Sequence, residues 1–214
     1  MQTKQLTTLA MLAALAIVAT IFTRFPMFAV FLSYDAKDVI IAISGFLYGP
    51  LAAICIIVVV AFVEMITISD TGYWGMLMNI ISSTAFVVPA VLIYRRWRSL
   101  AGAIIGLVAG ALIGTGVMLL WNYLIVPLYM PHVSRADVVP MLATIFLPFN
   151  LVKNGLNAAI VMILYKPVSL ALKQAKLYQP PSAEKAKLNI WVMLISAFVV
   201  LSLVLVILVE RGVF

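Results

Sequence analysis

Four polar side chains share one face of an otherwise apolar helix predicted near the C-terminal end of the chain. In the segment FLPFNLVKNGLN they are spaced at i, i+3, i+4 and i+7, namely Asn150, Lys153, Asn154 and Asn157. In a membrane-spanning helix a lysine costs about 2.5–3.5 kcal/mol on insertion scales, and it is tolerated where it faces a cavity or a charged partner. The stripe therefore indicates a binding site. The alternative is that Lys153 pairs with Glu64 and the asparagines only join helices.

Two more asparagines lie among aromatic and methionine residues in earlier apolar segments. Asn122 lies in WNYLIVPLY and Asn79 lies in GYWGMLMN. A carboxamide offers both a hydrogen-bond donor and an acceptor, while aromatic and Met side chains give flat, adaptable apolar contact. Together they suit a planar heterocycle with polar edges, although isolated asparagines also join neighbouring helices.

The composition indicates that these segments lie in a membrane. Hydrophobic residues make up 65% of the 214 residues and charged residues only 10%, whereas a soluble domain is roughly half apolar and a quarter charged. The formal net charge of +7 comes from Lys and Arg clusters between apolar segments, which is typical of membrane topology signals rather than of nucleic-acid binding.

Several kinds of chemistry lack the residues they need. Cys55 is the sole cysteine, which excludes an internal disulfide and a cysteine-based metal site. Neither a GxxxxGKS/T phosphate loop nor an HExxH zinc motif occurs in the sequence. We therefore expect no catalytic residue, no metal and no cofactor, and no ATP hydrolysis by this chain.

Length and charge place the spanning helices. A span needs roughly 20 apolar residues. The long spans are predicted at about 6–22, 74–94, 101–126, 142–165 and 190–209. The basic clusters fall on one side of the membrane only if the remaining apolar stretch crosses twice, so it divides at Gly49-Pro50 into helices at 37–48 and 50–68. The first of these is about 18 Å long against a hydrocarbon core of about 30 Å, so it cannot span alone.

The expected architecture is an all-α, polytopic membrane protein with a six-helix bundle and an additional seventh C-terminal transmembrane helix. The bundle occupies residues 1–175, a Pro-containing cytoplasmic linker occupies 176–189, and the last helix with its tail occupies 190–214. The N-terminus is placed inside, and the outer loops are placed at 23–37, 69–73 and 127–140. The short helix beneath the first, aromatic outer loop leaves a vacancy in which a ligand would fit.

Two patterns of small residues concern packing. Glycines recur every four residues in the predicted helix at 101–126, namely Gly102, Gly106, Gly110 and Gly114. This spacing predicts a close helix contact within the chain. Ala10 and Ala14 form an AxxxA pattern that would either pack internally or face a partner subunit, and the spacing alone leaves both open.

Four segments carry a resemblance to a known family: YDAKDVIIAISGFLYGPLAA, GMLMN, WNYLIVPLY and LPFNLVKNGLN. They resemble the riboflavin-binding substrate-specific (S) components of energy-coupling factor (ECF) vitamin transporters, over about residues 1–175. The LPFN..K segment together with NY..VPLY is specific to the riboflavin branch, whereas the short second helix and the AxxxA pattern are general to S components. The seventh helix departs from the six-helix pattern of the family.

The resemblance implies high-affinity capture and uptake of riboflavin across the cell membrane of a prokaryote. Riboflavin would be the transported ligand and not a cofactor. Docking through Ala10 and Ala14 would join the chain to a transmembrane T subunit that carries two separate ATP-binding subunits. The transport energy would then come from ATP hydrolysis in those subunits.

The resemblance also implies which side chains bind the vitamin. Those expected to hydrogen-bond the polar edge of the isoalloxazine ring, or to lie beside it, are Asn122, Asn150, Lys153 and Asn79. Those expected to help close the pocket from the first outer loop are Tyr34, Asp35 and Asp38. A single lysine among asparagines suits neutral riboflavin better than a phosphate or a di-acid, for which paired cationic groups are typical. The alternatives are an S component for another vitamin, such as folate, pantothenate or thiamine, and a membrane enzyme that uses Glu64 with Lys153.

Overall fold

The computed structural model describes residues 3–69, 71–130, 132–178 and 189–210. In chain order, its elements are α1 (Thr3–Thr23), β1 (Phe25–Met27), β2 (Ala29–Tyr34), α2 (Lys37–Tyr48), α3 (Pro50–Thr67), α4 (Gly72–Arg96), α5 (Leu100–Tyr129), α6 (Arg135–Met141), a π-helical turn (Leu142–Phe146), α7 (Leu147–Gln174) and α8 (Ile190–Glu210). Among the described residues, six helical segments are long and apolar enough to cross a membrane, and α6, the π-helical turn and α7 together form one of them. The predicted all-α, multi-pass architecture with a seventh C-terminal helix is confirmed.

Helix α2 is short and lies inside the bundle. It contacts α1, α3, α4 and α7, and most of its side chains are buried. It ends at Tyr48 and is followed by Gly49, whose φ of 101° is strained for any residue with a Cβ. Pro50 then starts α3, where its missing backbone N–H is not needed for a helical hydrogen bond. The predicted division at this dipeptide is therefore confirmed, and the 12-residue α2 is about 18 Å long.

The basic last turns of α4 and α7 lie at the same end of the bundle as the turn between α2 and α3. The Tyr48 hydroxyl donates a hydrogen bond to the Leu177 carbonyl oxygen at 3.1 Å, and the Arg95 guanidinium packs against Gly49. These contacts bring the turn between α2 and α3 to the end where the basic last turns of α4 and α7 lie. The turn between α2 and α3 therefore lies at the basic end, as the charge pattern predicts.

The first outer loop is more ordered than the sequence suggested. Residues 23–37, predicted as a loop, contain the antiparallel hairpin of β1 and β2, with Phe25 opposite Tyr34. Phe28 makes the reversal with a positive φ of 60°, and the strand register shifts beside it. The Thr23 hydroxyl accepts a hydrogen bond from the Ala36 backbone N–H at 2.9 Å, which closes the base of the hairpin. The aromatic side chains of this segment recur every third residue, so the sequence lacks the period-2 alternation that normally marks a strand.

The third outer loop is also shorter than the predicted range of 127–140. Helix α5 continues to Tyr129, and α6 already starts at Arg135. The Ser134 hydroxyl accepts from the Asp137 backbone N–H, and the Asp137 carboxylate accepts from the Ser134 backbone N–H, which is a capping box. This local start signal extends the helical segment outward by about two turns.

The glycine repeat packs within the chain, as predicted. Gly106 lies so close to α4 that an added Cβ would come 2.6 Å from the Ala90 carbonyl oxygen, and an added Cβ at Gly110 would come closer still to the Phe86 carbonyl oxygen. A missing side chain at these positions allows the backbones of α4 and α5 to approach each other. The close pair forms one wall of the bundle.

The alanine pair on α1 faces outward. Ala10 and Ala14 are exposed, whereas Leu12, Ala13 and Ala16 on the opposite face are buried. The spacing left open whether this AxxxA pattern packs internally or faces a partner. Within the described part of the chain it is exposed and does not pack internally.

The seventh helix, α8, packs along α7. Leu203 lies against Gly155, where an added Cβ would come 3.2 Å from its Cδ1 atom. Ile207 is buried in an apolar cluster with residues of the hairpin and of the outer half of α7. The predicted linker at 176–189 falls mostly on residues 179–188, which lie outside the described residues.

Candidate ligand-binding site

A cavity of about 350 Å³ lies between the hairpin and helices α3, α4, α5 and α7. This volume is at the lower end of the range of roughly 300–1,000 Å³ that is typical of small-molecule sites. Its polar lining consists of Arg24, Ser33, Asp35, Lys37, Glu64, Ser69, Thr71, Asn79, Ser82, Asn122, Asn150 and Lys153. Its apolar lining includes Phe31, Leu32, Met78, Met118 and Phe149.

The structure brings four of the predicted binding residues together in this lining, from three helices: Asn79, Asn122, Asn150 and Lys153. Asn150 and Lys153 come from adjacent turns of α7, which is the periodicity that suggested them. Asn122 comes from α5 and Asn79 from α4. Because these side chains line the same cavity, they are placed to contact a single ligand.

Two of these amides have their orientation fixed by their own helices. Asn150 donates its side-chain N–H to the Phe146 carbonyl oxygen at 2.7 Å, and Asn122 donates in the same way to Met118 at 2.7 Å. Phe146 ends the π-helical turn, so the irregular backbone before α7 supplies one of these anchors. Neither Oδ1 atom accepts a hydrogen bond from the described residues. Each amide therefore presents its carbonyl oxygen as an acceptor at the cavity wall.

A chain of four buried charges alternates in sign along the cavity. The Lys153 ammonium lies 3.5 Å from Asp35 Oδ2, and the Lys37 ammonium lies 3.1 Å from the same oxygen. Lys37 also lies 2.9 Å from Glu64 Oε1. Buried charges are stable only when they are paired, and each of these four has a partner of opposite sign.

This network replaces the pair of Lys153 with Glu64 that the sequence offered as an alternative. Glu64 pairs with Lys37 and accepts a hydrogen bond from the Asn79 side-chain amide at 2.9 Å, while Lys153 pairs with Asp35. Burial raises the pKa of the Asp35 carboxyl, but the ammonium groups of Lys153 and Lys37 more than offset this and hold it at about 2. Asp35 is therefore ionised at neutral pH.

Tyr34 and Asp38 are buried behind the wall of the cavity and do not line it. The Tyr34 hydroxyl donates to Asn157 Oδ1 at 3.1 Å, which ties the hairpin to α7. Asp38 accepts a hydrogen bond from the Ser83 hydroxyl at 2.5 Å, which ties α2 to α4. These two hydrogen bonds thus stabilise the packing of the hairpin and helices that surround the cavity.

Asn154, the remaining member of the polar stripe, turns toward α5. Its side-chain amide donates to the Thr115 hydroxyl at 3.3 Å and to the Ala111 carbonyl oxygen at 3.4 Å. Asn154 therefore joins two helices, as the sequence analysis allowed for such asparagines.

Sequence reasoning missed Lys37 as a cavity residue. It is the first residue of α2, and it is buried between two carboxylates. In the sequence it lies between Asp35 and Asp38, so the cluster reads as an ordinary charged loop at a membrane surface. Its one unusual signal is that a lysine and an aspartate open a helix whose remaining residues are almost all apolar.

Comparison with known proteins identifies the family of the chain. Residues 4–165 match the family described as ECF transporter, substrate-specific component. The chain belongs to this family. It is accordingly a transporter component and not an enzyme, and its ligand is a transported substrate and not a cofactor.

Two curated relatives and one solved structure are similar to the chain. The riboflavin transporter RibU of Staphylococcus aureus (strain TCH60) is 30% identical over 149 residues, which is 67% of this chain and 78% of that protein. The riboflavin transporter FmnP of Bacillus subtilis (strain 168) is 26% identical over 150 residues, or 66% of this chain and 77% of that protein. A solved structure of the S component of a bacterial ECF transporter has a TM-score of 0.69 and 29% identity, and the likeness covers 81% of this chain and 99% of that one.

Proposed function

We propose that this S component binds riboflavin in the cavity and mediates its uptake. The observation that carries the proposal is the set of polar groups at the cavity wall: the free carbonyl oxygens of Asn122 and Asn150 and the ammonium group of Lys153. Both curated relatives are named riboflavin transporters, which supports the same ligand.

The polar edge of an isoalloxazine ring complements these groups. That edge carries an N–H donor between two carbonyl acceptors. An amide oxygen of Asn122 or Asn150 would accept from the N–H, and Lys153 would donate to a carbonyl. Phe149 and Met118 would contact the flat faces of the ring.

The hairpin would close the cavity over the bound vitamin. Phe31, Leu32 and Ser33 of β2 already line the cavity. We assign Tyr34 and Asp38 to this closure indirectly, since they hold the hairpin and α2 in place from behind the wall. The binding unit would then occupy residues 1–175.

Transport would be powered by other subunits. The exposed Ala10 and Ala14 offer a smooth strip on α1 onto which a transmembrane T subunit would pack, and that subunit would carry two ATP-binding subunits. The cell membrane of a prokaryote is the expected location, and the basic end of the bundle would face the cytoplasm.

A direct experiment is to purify the full chain in detergent and titrate it with riboflavin while flavin fluorescence is measured. Stacking against aromatic side chains would quench the fluorescence, and a preparation from riboflavin-fed cells would be yellow. Folate, pantothenate and thiamine serve as competitors. A colourless protein that does not quench added riboflavin would refute the proposal, and displacement by another vitamin would reassign the ligand.

A further inference from the structure

Asp35 joins the two lysines of the cavity through a single oxygen atom. Its Oδ2 lies 3.1 Å from the Lys37 ammonium and 3.5 Å from the Lys153 ammonium. Asp35 directly follows β2, whereas Lys153 lies on α7, so the contact connects the end of the hairpin with the helix that carries the polar stripe. The side chains of Lys153 and Asp35 expose only 9% and 8% of their surface.

The two lysines depend on Asp35 to different degrees. Lys37 has a second carboxylate partner, Glu64, at 2.9 Å. Among the described residues, Asp35 is the only acidic group within 4 Å of Lys153. Loss of the Asp35 charge would therefore leave Lys37 paired with Glu64 but would leave Lys153 buried with no described carboxylate within 4 Å, a situation that favours moving or neutralising the ammonium group.

The geometry of this pair also leaves Lys153 able to bind a ligand. An ammonium group has three N–H donors. A single carboxylate contact at 3.5 Å fixes the position of Lys153 without occupying all three donors. The remaining donors are available at the cavity wall, which Asn150, one turn earlier on α7, also lines.

We propose that Asp35 is a positioning residue that holds the Lys153 ammonium group, charged and correctly placed, for riboflavin. This inference rests on the proposed function, because it names how one of the binding groups is oriented. It also gives the end of the hairpin a defined connection to the ligand-binding helix.

A double-mutant cycle tests the inference in the full-length protein. Riboflavin dissociation constants are measured by fluorescence quenching for the wild type, Asp35→Asn, Lys153→Met and the double variant. We expect each single change to weaken binding at least tenfold, and the double variant to bind about as well as Lys153→Met alone. Asp35→Glu should recover part of the affinity, because it keeps the carboxylate. Asp137→Asn removes an exposed carboxylate from α6 and serves as the control, with unchanged affinity.

The results that would overturn the inference are distinct from those that would overturn the proposed function. If Asp35→Asn weakens binding by the same factor with and without Lys153, Asp35 does not act through Lys153. If Lys153→Met weakens binding but Asp35→Asn does not, only this inference fails. If Lys153→Met leaves riboflavin affinity unchanged, both this inference and the proposed role of Lys153 fail. If the wild-type protein binds no riboflavin at all, the proposed function itself is refuted.

Folding provides a second readout for Asp35. If Asp35→Asn unfolds in detergent, the inference predicts that adding Lys153→Met restores a folded protein, because the unpaired ammonium group is then absent. A double variant that also fails to fold would show that Asp35 stabilises the protein independently of Lys153, which would overturn the inference.

Discussion

Replacing Lys153 with methionine removes the ammonium group from the cavity wall while most of the length of the side chain is kept. A hydrogen bond that involves a charged group contributes about 1.5–3 kcal/mol. At about 1.4 kcal/mol for each factor of ten, its loss should raise the riboflavin dissociation constant roughly 10- to 150-fold. The fold should tolerate the change, because Asp35 keeps the Lys37 ammonium at 3.1 Å and is not left as an unpaired buried charge.

Fluorescence quenching of riboflavin in detergent measures this effect directly. Lys166→Met is a matched control: it removes a lysine from the same helix about 20 Å further along, where it does not line the cavity. The control should bind riboflavin like the wild type. A Lys153→Met protein that is folded and binds within twofold of the wild type would refute the role of Lys153 and would weaken the assignment of this cavity as the binding site.

Two further predictions concern packing and docking. Gly110→Ala should destabilise the protein by about 1–3 kcal/mol, because the new methyl group would meet a backbone carbonyl of α4 that cannot rotate away. The control is Gly116→Ala, whose new methyl group meets nothing within 4 Å, so this change should be neutral or slightly stabilising. Thermal unfolding in detergent compares the two, and equal midpoints would contradict the close contact. Ala10→Leu combined with Ala14→Leu should leave riboflavin affinity unchanged but prevent co-purification with a T subunit; normal assembly would mean that docking uses another surface.

Local chemistry was enough to predict much of the fold. The Gly49-Pro50 dipeptide ends one helix and starts the next through backbone restrictions that need no tertiary contact, and the structure places both boundaries there. The glycine repeat on α5 was likewise predicted to pack within the chain, because helical spacing alone puts small residues in one row. The hairpin was not predicted, since its aromatic residues follow no clear alternation and its turn is formed by Phe28 in place of a glycine or asparagine.

The tertiary structure decided which way the small-residue face of α1 points. Ala10 and Ala14 have a spacing that suits either an internal or an external contact. Only the packing of Leu12 and Ala16 against the bundle assigns the alanine face to the outside. A pattern that is apolar on every side of a helix carries no such information, because lipid and protein interior accept the same side chains.

The sequence by itself determined the candidate residues on α7, because a period of 3.6 residues places Asn150 and Lys153 on one face wherever the helix lies. It did not determine their partners. Lys153 was paired with Glu64 in one sequence-based interpretation, but the fold brings Asp35 to Lys153 and gives Glu64 to Lys37. Ion pairs between distant segments depend on how the hairpin and α2 return into the bundle, and only the three-dimensional path of the chain fixes that.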